Sequence, residues 1–218
     1  MAAQAKDADS MHDLFASIAN KIEGASGGAV QVPEIKPSVL EWYAGRFNKH
    51  GYEVTAEVVS AISDYLKGYN IWLCGNVGIG KTFFFETMSK IRVGRGAEPI
   101  VKLSMIETQG WDMTSAREWA EDHRQDDVLI DDVGVEPIMK SWGQEAELFP
   151  YLLEKRMQAT SVRTHLTSNL GPLDVKRRYG DRVIDRCVQM FKMIALSARK
   201  SKRRQKPWKV AKDNGAVI

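Results

Sequence analysis

Apolar residues at three- and four-residue spacing alternate along the chain with short, wholly apolar runs, which predicts helices interleaved with buried strands. Met11, Leu14, Phe15, Ile18 and Ile22 form the first helical pattern, an amphipathic helix over residues 11–23 that Ser10 or Asp13 is placed to cap. Residues 24–37, GASGGAVQVPEIKP, read as a linker. A short helix on such a tether either docks on a partner or folds back onto its own domain. Helical patterns follow at residues 38–49, with Ser38 as cap, and at 55–66, with Thr55 as cap; Gly68 breaks the second. These two helices are expected to brace the core. Ile71-Trp72-Leu73-Cys74 is the pattern of a strand covered on both faces. Residues 83–91 then read as a helix, 94–98 as a turn, 99–105 as a second strand and 107–123 as a polar, helix-compatible stretch. Val128-Leu129-Ile130 forms a third strand, ending in Asp131 and Asp132. Residues 144–159 read as one long helix carrying Leu148, Tyr151, Leu152 and Met157. A strand over 163–169 ends in Thr167-Ser168-Asn169, a short helix starts at Gly171, a further helix covers 179–187, and 190–196 make a fifth strand. The whole is an α/β chain with a five-stranded, mostly parallel sheet between helices.

Composition narrows the class. The chain has 218 residues, 44% hydrophobic and 27% charged, enough for one α/β domain with short appendages. No stretch approaches the ~20 apolar residues of a membrane span, and the N-terminus lacks the basic-then-apolar order of a signal peptide. Cys74 and Cys187 form no C-x-x-C pair, and the four histidines lack metal-ligand spacing. A cytoplasmic protein with no membrane partner is expected. The net charge of +3 does not by itself argue for nucleic acid. The local distribution does more: residues 199–212 hold eight lysines and arginines around Trp208. That tail either tracks single-stranded DNA, with Trp208 stacking on a base, or is a solvated terminus.

The stretch with the most chemistry is Gly75-Asn76-Val77-Gly78-Ile79-Gly80-Lys81-Thr82, followed by Phe83. It fits the P-loop pattern and lies between a predicted strand and a predicted helix. Glycines let successive N–H groups turn inward around a phosphate, and the helix start aims its positive dipole end at the same place. Lys81 would reach the β- and γ-phosphates of ATP, and the Thr82 hydroxyl would ligate Mg²⁺. Asp131 and Asp132 end a strand in the Walker B manner. Asp131 is expected in the Mg²⁺ shell, through water, and Asp132 is placed to polarise an attacking water. The other reading of this pair is an exposed acidic turn. Asn169 at a strand tip can hold the lytic water beside the γ-phosphate; Thr-Ser-Asn before Leu-Gly-Pro is also good turn chemistry.

In this order the motifs resemble an AAA+ core, and more closely the DnaC/DnaI-type replicative helicase loaders. The residues that carry the resemblance are GNVGIGKT, LIDDVGVE (129–136), HLTSNL (165–170), YGDRVIDR (179–186) and SAR (197–199), within about residues 38–200. It implies that Asn169 is sensor 1, that Arg186 is the arginine finger with Arg182 as second candidate, and that Arg199 is the sensor 2 arginine. It further implies an ATPase that is weak until DNA or a partner stimulates it. Self-association into a spiral or ring-like oligomer, single-stranded DNA, and a DnaB-type helicase delivered during replication complete the picture. On this basis residues 1–37 form a helicase-docking extension, 38–200 the ATPase domain without a separate lid, and 201–218 a basic tail. The extension is shorter than that of cellular loaders, as in a phage or mobile-element version. Asp132 stands where many AAA+ proteins carry Glu. An IstB-like transposition helper, acting on duplex DNA with a transposase, shares the core motifs and is the alternative. A nucleotide-gated binding module that barely hydrolyses ATP is a third. Arg182 and Arg186 could also simply pair with Asp181 and Asp185 on a solvated face.

Overall fold

The computed structural model describes residues 34–141, 144–159 and 161–197. The expected helix over 11–23, most of the linker after it, and the tail with Arg199 and Trp208 lie outside those residues. Among the described residues the elements run α1 (Pro37–Lys49), α2 (Ala56–Leu66), β1 (Ile71–Cys74), α3 (Lys81–Val93), β2 (Val101–Ser104), a 3₁₀ turn (Met105–Thr108), α4 (Met113–Asp122), β3 (Val128–Val133), β4 (Ile138–Ser141), β5 (Gln144–Glu147), α5 (Leu148–Met157), β6 (Thr164–Ser168), α6 (Pro172–Tyr179), α7 (Asp181–Met190) and β7 (Lys192–Ala195).

Five strands form one parallel sheet in the order β2-β3-β6-β1-β7. Every residue of β1 and β6 is buried, as central parallel strands covered on both faces require. The two-residue period sorts side chains between two cores. Trp72 and Cys74 join one, with Val128 and Ile130 of β3 and residues of α4 to α7. Ile71, Leu73 and Leu129 join the other, with Phe47 of α1, Ile62 of α2 and Phe84, Phe85 and Met88 of α3. The result is a three-layer sandwich. Because β6 sits between β1 and β3, the carboxyl ends of these three strands open onto one crevice, where ligands of open α/β sheets bind.

Three local expectations are corrected. Ser38 does not cap α1: Pro37 takes the first helical turn, where its missing N–H is harmless, and Lys36 is the N-cap residue. The stretch 107–123 is not one helix. Gly110 adopts φ +82°, and the carboxylate of Asp112 then caps α4 by accepting from the Ser115 N–H at 2.9 Å. The helix expected over 144–159 begins only at Leu148. Residues 144–147 form β5 instead, antiparallel to β4 with Ser141 opposite Gln144. Pro150 is the physical reason: within a helix from 144 it would lose a backbone hydrogen bond and clash with the turn before it, at about 3 kcal/mol, whereas in the first turn of α5 it is tolerated. Thr55 does occupy the N-cap position of α2, without a side-chain cap bond.

Candidate functional site

The loop between β1 and α3 has the shape its glycines permit. Gly75, Gly78 and Gly80 take φ of +137°, +82° and +99°. A Cβ on Gly75 would lie 2.6 Å from both Ile79 Cδ1 and the Leu196 carbonyl oxygen, so that turn admits no side chain. Ile79 is buried beneath the loop. Val77, Gly78, Gly80, Lys81, Thr82 and Phe83 face a cleft of about 820 Å³ that Asp132 and Asn169 also line. Gly75 and Asn76 contribute carbonyls. Lys81 is 5% exposed. Its ammonium donates to Gly75 O at 2.7 Å, Asn76 O at 3.0 Å and Asn169 Oδ1 at 2.7 Å. The expected sensor thus meets the expected phosphate-binding lysine directly.

The two acids diverge. Asp131 is buried, and its Oδ1 accepts from Thr82 Oγ1 at 2.8 Å and from Thr167 Oγ1 at 2.6 Å. Asp132 turns toward the cleft through a bulge in the β3–β6 pairing between Ile130 and Val133. Its φ is +59°, left-handed geometry that Asp tolerates better than most side chains. The Asp132 N–H donates to Thr167 Oγ1 at 2.9 Å, so one hydroxyl fixes both acids. Next to it, Ser168 Oγ donates to Val133 O at 2.5 Å and accepts from the Leu170 N–H at 2.9 Å. An exposed acidic turn is therefore not what Asp131 forms.

The loop after the acids is fastened to α6. The buried Glu136 carboxylate accepts from the Gly134 N–H at 2.8 Å and from the Tyr179 hydroxyl, and Arg178 donates to the carbonyls of Gly134 and Glu136. Burial first, then the Glu136 charge, pushes the Tyr179 hydroxyl's pKa up. The side wall of the cleft comes from the α1–α2 connection, residues 49–52. Tyr52 stacks on Phe83 with centroids 5.6 Å apart and rings 5° from parallel, and its hydroxyl donates to Gly80 O at 3.0 Å. Burial raises its pKa, so it stays a neutral donor.

The arginines stand elsewhere. Arg182 and Arg186 lie on α7 and line no part of this cleft. Arg186 forms a forked pair with Glu154 of α5, at 3.2 and 3.4 Å. Arg182 is exposed, with no ion pair among the described residues. Asp181 pairs instead with Lys176 at 2.7 Å. The pairing of the two arginines with Asp181 and Asp185 is thus not found.

Sequence reasoning overlooked Thr167, Tyr52 and Glu136 as site residues. Thr167 stood in the quoted Thr-Ser-Asn, and its inward register on a buried strand was the available signal. Tyr52 carried none, because only folding brings it to Phe83.

Chemically, the cleft offers an ammonium and loop amides at one end and two hard oxygens, Thr82 Oγ1 and an Asp131 carboxylate, beside them. That suits a phosphate and a cation such as Mg²⁺, which keeps most of its waters and takes few protein ligands. No cluster of three or more His, Cys, Asp or Glu able to hold a metal occurs among the described residues. No helix among them is long and apolar enough to cross a membrane.

Among solved structures, the chain is similar to the crystal structure of the DnaC helicase loader, with a TM-score of 0.53, 16% identity, and coverage of 72% of this chain and 99% of that one. It is also similar to AMPPCP-bound DnaA from Aquifex aeolicus, with a TM-score of 0.46, 19% identity, and coverage of 67% of this chain and 49% of that one. No family model matches the chain, and no curated protein matches its sequence. The likeness to DnaC shows the fold alone: an α/β fold like that of DnaC, around a five-stranded parallel sheet.

Proposed function

We propose that this chain is an ATP-dependent loader of a hexameric replicative DNA helicase. The observation that carries the reading is the meeting of Lys81 with Asn169 and of Thr82 with Asp131 at one end of one cleft, on a DnaC-like fold. On this reading residues 38–200 form the ATPase domain. The loop 75–80 and Lys81 hold the phosphates of ATP, and bound Mg²⁺ would draw on Thr82 and Asp131 and offset phosphate charge. Asp132 orients and polarises the attacking water from the open side of the cleft. Asn169 gives up Lys81 when a terminal phosphate arrives, and so reports its presence.

Arg186 serves a neighbouring subunit's ATP, with Arg182 beside it, in a spiral or ring-like assembly. Its distance from its own cleft agrees with a role in trans, and its pair with Glu154 is the interaction that assembly would replace. Arg199 acts as sensor 2 in cis. Residues 1–37 dock the helicase, the assembly grips single-stranded DNA, and turnover releases both.

Capture on the tagged chain with a slowly hydrolysed ATP analogue and Mg²⁺, followed by mass spectrometry, tests the reading. A DnaB-type helicase should be retained with the analogue and lost without it. Retention of a transposase instead, or helicase capture indifferent to nucleotide, would overturn it.

A further inference from the structure

A second groove, of about 770 Å³, runs between α1 and the C-terminal end of α3. Trp42, Tyr43, Arg46, His50, Lys90 and Arg95 line it, and among the described residues no carboxylate does. Trp42 is 42% exposed, an unusual state for that ring. The Arg46 guanidinium sits 4.8 Å from the ring centroid and that of Arg95 5.7 Å. Arg95 also donates to the Tyr43 hydroxyl at 3.3 Å, which fixes it over the groove. Arg46, Lys90 and Arg95 are all exposed, and none has an acidic partner among the described residues. Two nearby cations are neutralised: Arg92, three residues from Arg95, pairs with Asp127, and Lys102 pairs with Glu86. Three uncompensated cations, from α1, α3 and the turn after α3, repel one another, and an anion in the groove relieves that.

We propose that this groove binds a single nucleic-acid strand, with phosphates on Arg46, Lys90 and Arg95 and a base against Trp42. Cations that track a backbone beside an exposed aromatic ring make a stacking platform for a strand. An acidic polypeptide would use the charges but not the ring. His50 lines both this groove and the nucleotide cleft, so strand and nucleotide would sit on the two sides of one connection. The proposal rests on the loader reading and gives the strand a place distinct from the basic tail.

The test is fluorescence anisotropy of a labelled oligothymidylate, with a slowly hydrolysed ATP analogue and Mg²⁺, over a salt series. The double variant Arg46→Ala with Arg95→Ala should bind at least about tenfold more weakly, and its log K against log salt should flatten by roughly 1.4, or about 0.7 for each phosphate that is no longer neutralised. Lys90 makes no side-chain hydrogen bond among the described residues, and Lys90→Glu should weaken binding in the same direction. Trp42→Leu should cost about tenfold through lost stacking. Affinity for the ATP analogue should stay at the wild-type value in all of them. Wild-type strand affinity in the charge variants would overturn the groove while leaving the loader reading standing. So would loss in the charge variants alone, with Trp42→Leu unaffected and polyglutamate competing as well as the oligonucleotide, since the groove would then be a peptide site. Failure of the wild type to bind any strand would overturn both.

Discussion

Thr167 carries the most chemistry per atom in this molecule. Its hydroxyl has one proton and two lone pairs. The proton goes to Asp131, and a lone pair takes the Asp132 N–H. Asp131 therefore keeps the orientation in which it shares Oδ1 with Thr82, and Asp132 is held in its left-handed turn. Replacing the hydroxyl by a methyl of the same size would leave a buried carboxylate short of a donor and an N–H short of an acceptor, at about 1–3 kcal/mol each. Thr167→Val should accordingly lower kcat for ATP by roughly ten- to hundredfold while KM moves far less, because Lys81 and the loop remain intact. Thr167→Ser should restore most of the rate. Steady-state kinetics on the three proteins checks this; equal losses in Val and Ser variants would mean that the hydroxyl does not position the acids.

At the scale of elements, strong local patterns were legible and compensated ones were not. β1 and β3 could be read because buried parallel strands are nearly continuous apolar runs, and α3 because the P-loop fixes where a helix must start. The β4–β5 hairpin was hidden: residues 144–147, Gln-Glu-Ala-Glu, have helical preference, and cross-strand pairing with β4 overrides it. Pro150 marked the true helix start, and Asp112 that of α4. Within the site, Lys81, Thr82, Asp131, Asp132 and Asn169 could be named from spacing. Thr167's double role could not, since it depends on the bulge that offsets β3 against β6.

β6 also sets a pH limit. His165 is wholly buried, accepts the Ile71 N–H at 3.1 Å through Nδ1, and stacks between Tyr65 and Phe85. Burial first, then the nearby Arg163 charge, pushes its pKa from 6.5 down to about 3. The folded state keeps it neutral while the unfolded chain takes up a proton, so its contribution is whole above pH 6.5 and declines as pH falls toward 3. Asp127 acts in a lower window: burial raises its pKa, but hydrogen bonds from Arg92 and the Arg163 N–H outweigh that and bring it to about 2, so its contribution fades only below 3.8. Denaturant melts should therefore show a loss on the order of 2 kcal/mol from pH 7 to 5, and His165→Gln, though less stable at pH 7, should show a flatter slope. An unchanged slope in that variant would exclude His165 as the cause.

For the whole molecule, two layers of helices hold the sheet so that the carboxyl ends of β1, β3 and β6 meet at one crevice. Lys81 comes from the helix after β1, the acids from the end of β3, and Thr167 and Asn169 from the end of β6. These residues come from strands that neighbour one another in the sheet, whereas Arg186 lies on α7, tied to Glu154. The cleft as a site for ATP with Mg²⁺ is thus the claim on which loading, assembly and strand binding all depend. Isothermal titration of a slowly hydrolysed ATP analogue against the wild type and Lys81→Ala, each with Mg²⁺ and with EDTA, measures it directly. The wild type should bind, and more weakly in EDTA. Lys81→Ala should lose at least about tenfold, the value of a charge-assisted hydrogen bond to phosphate. A wild type that binds no nucleotide, or a Lys81→Ala variant that binds as tightly as the wild type, would contradict the account.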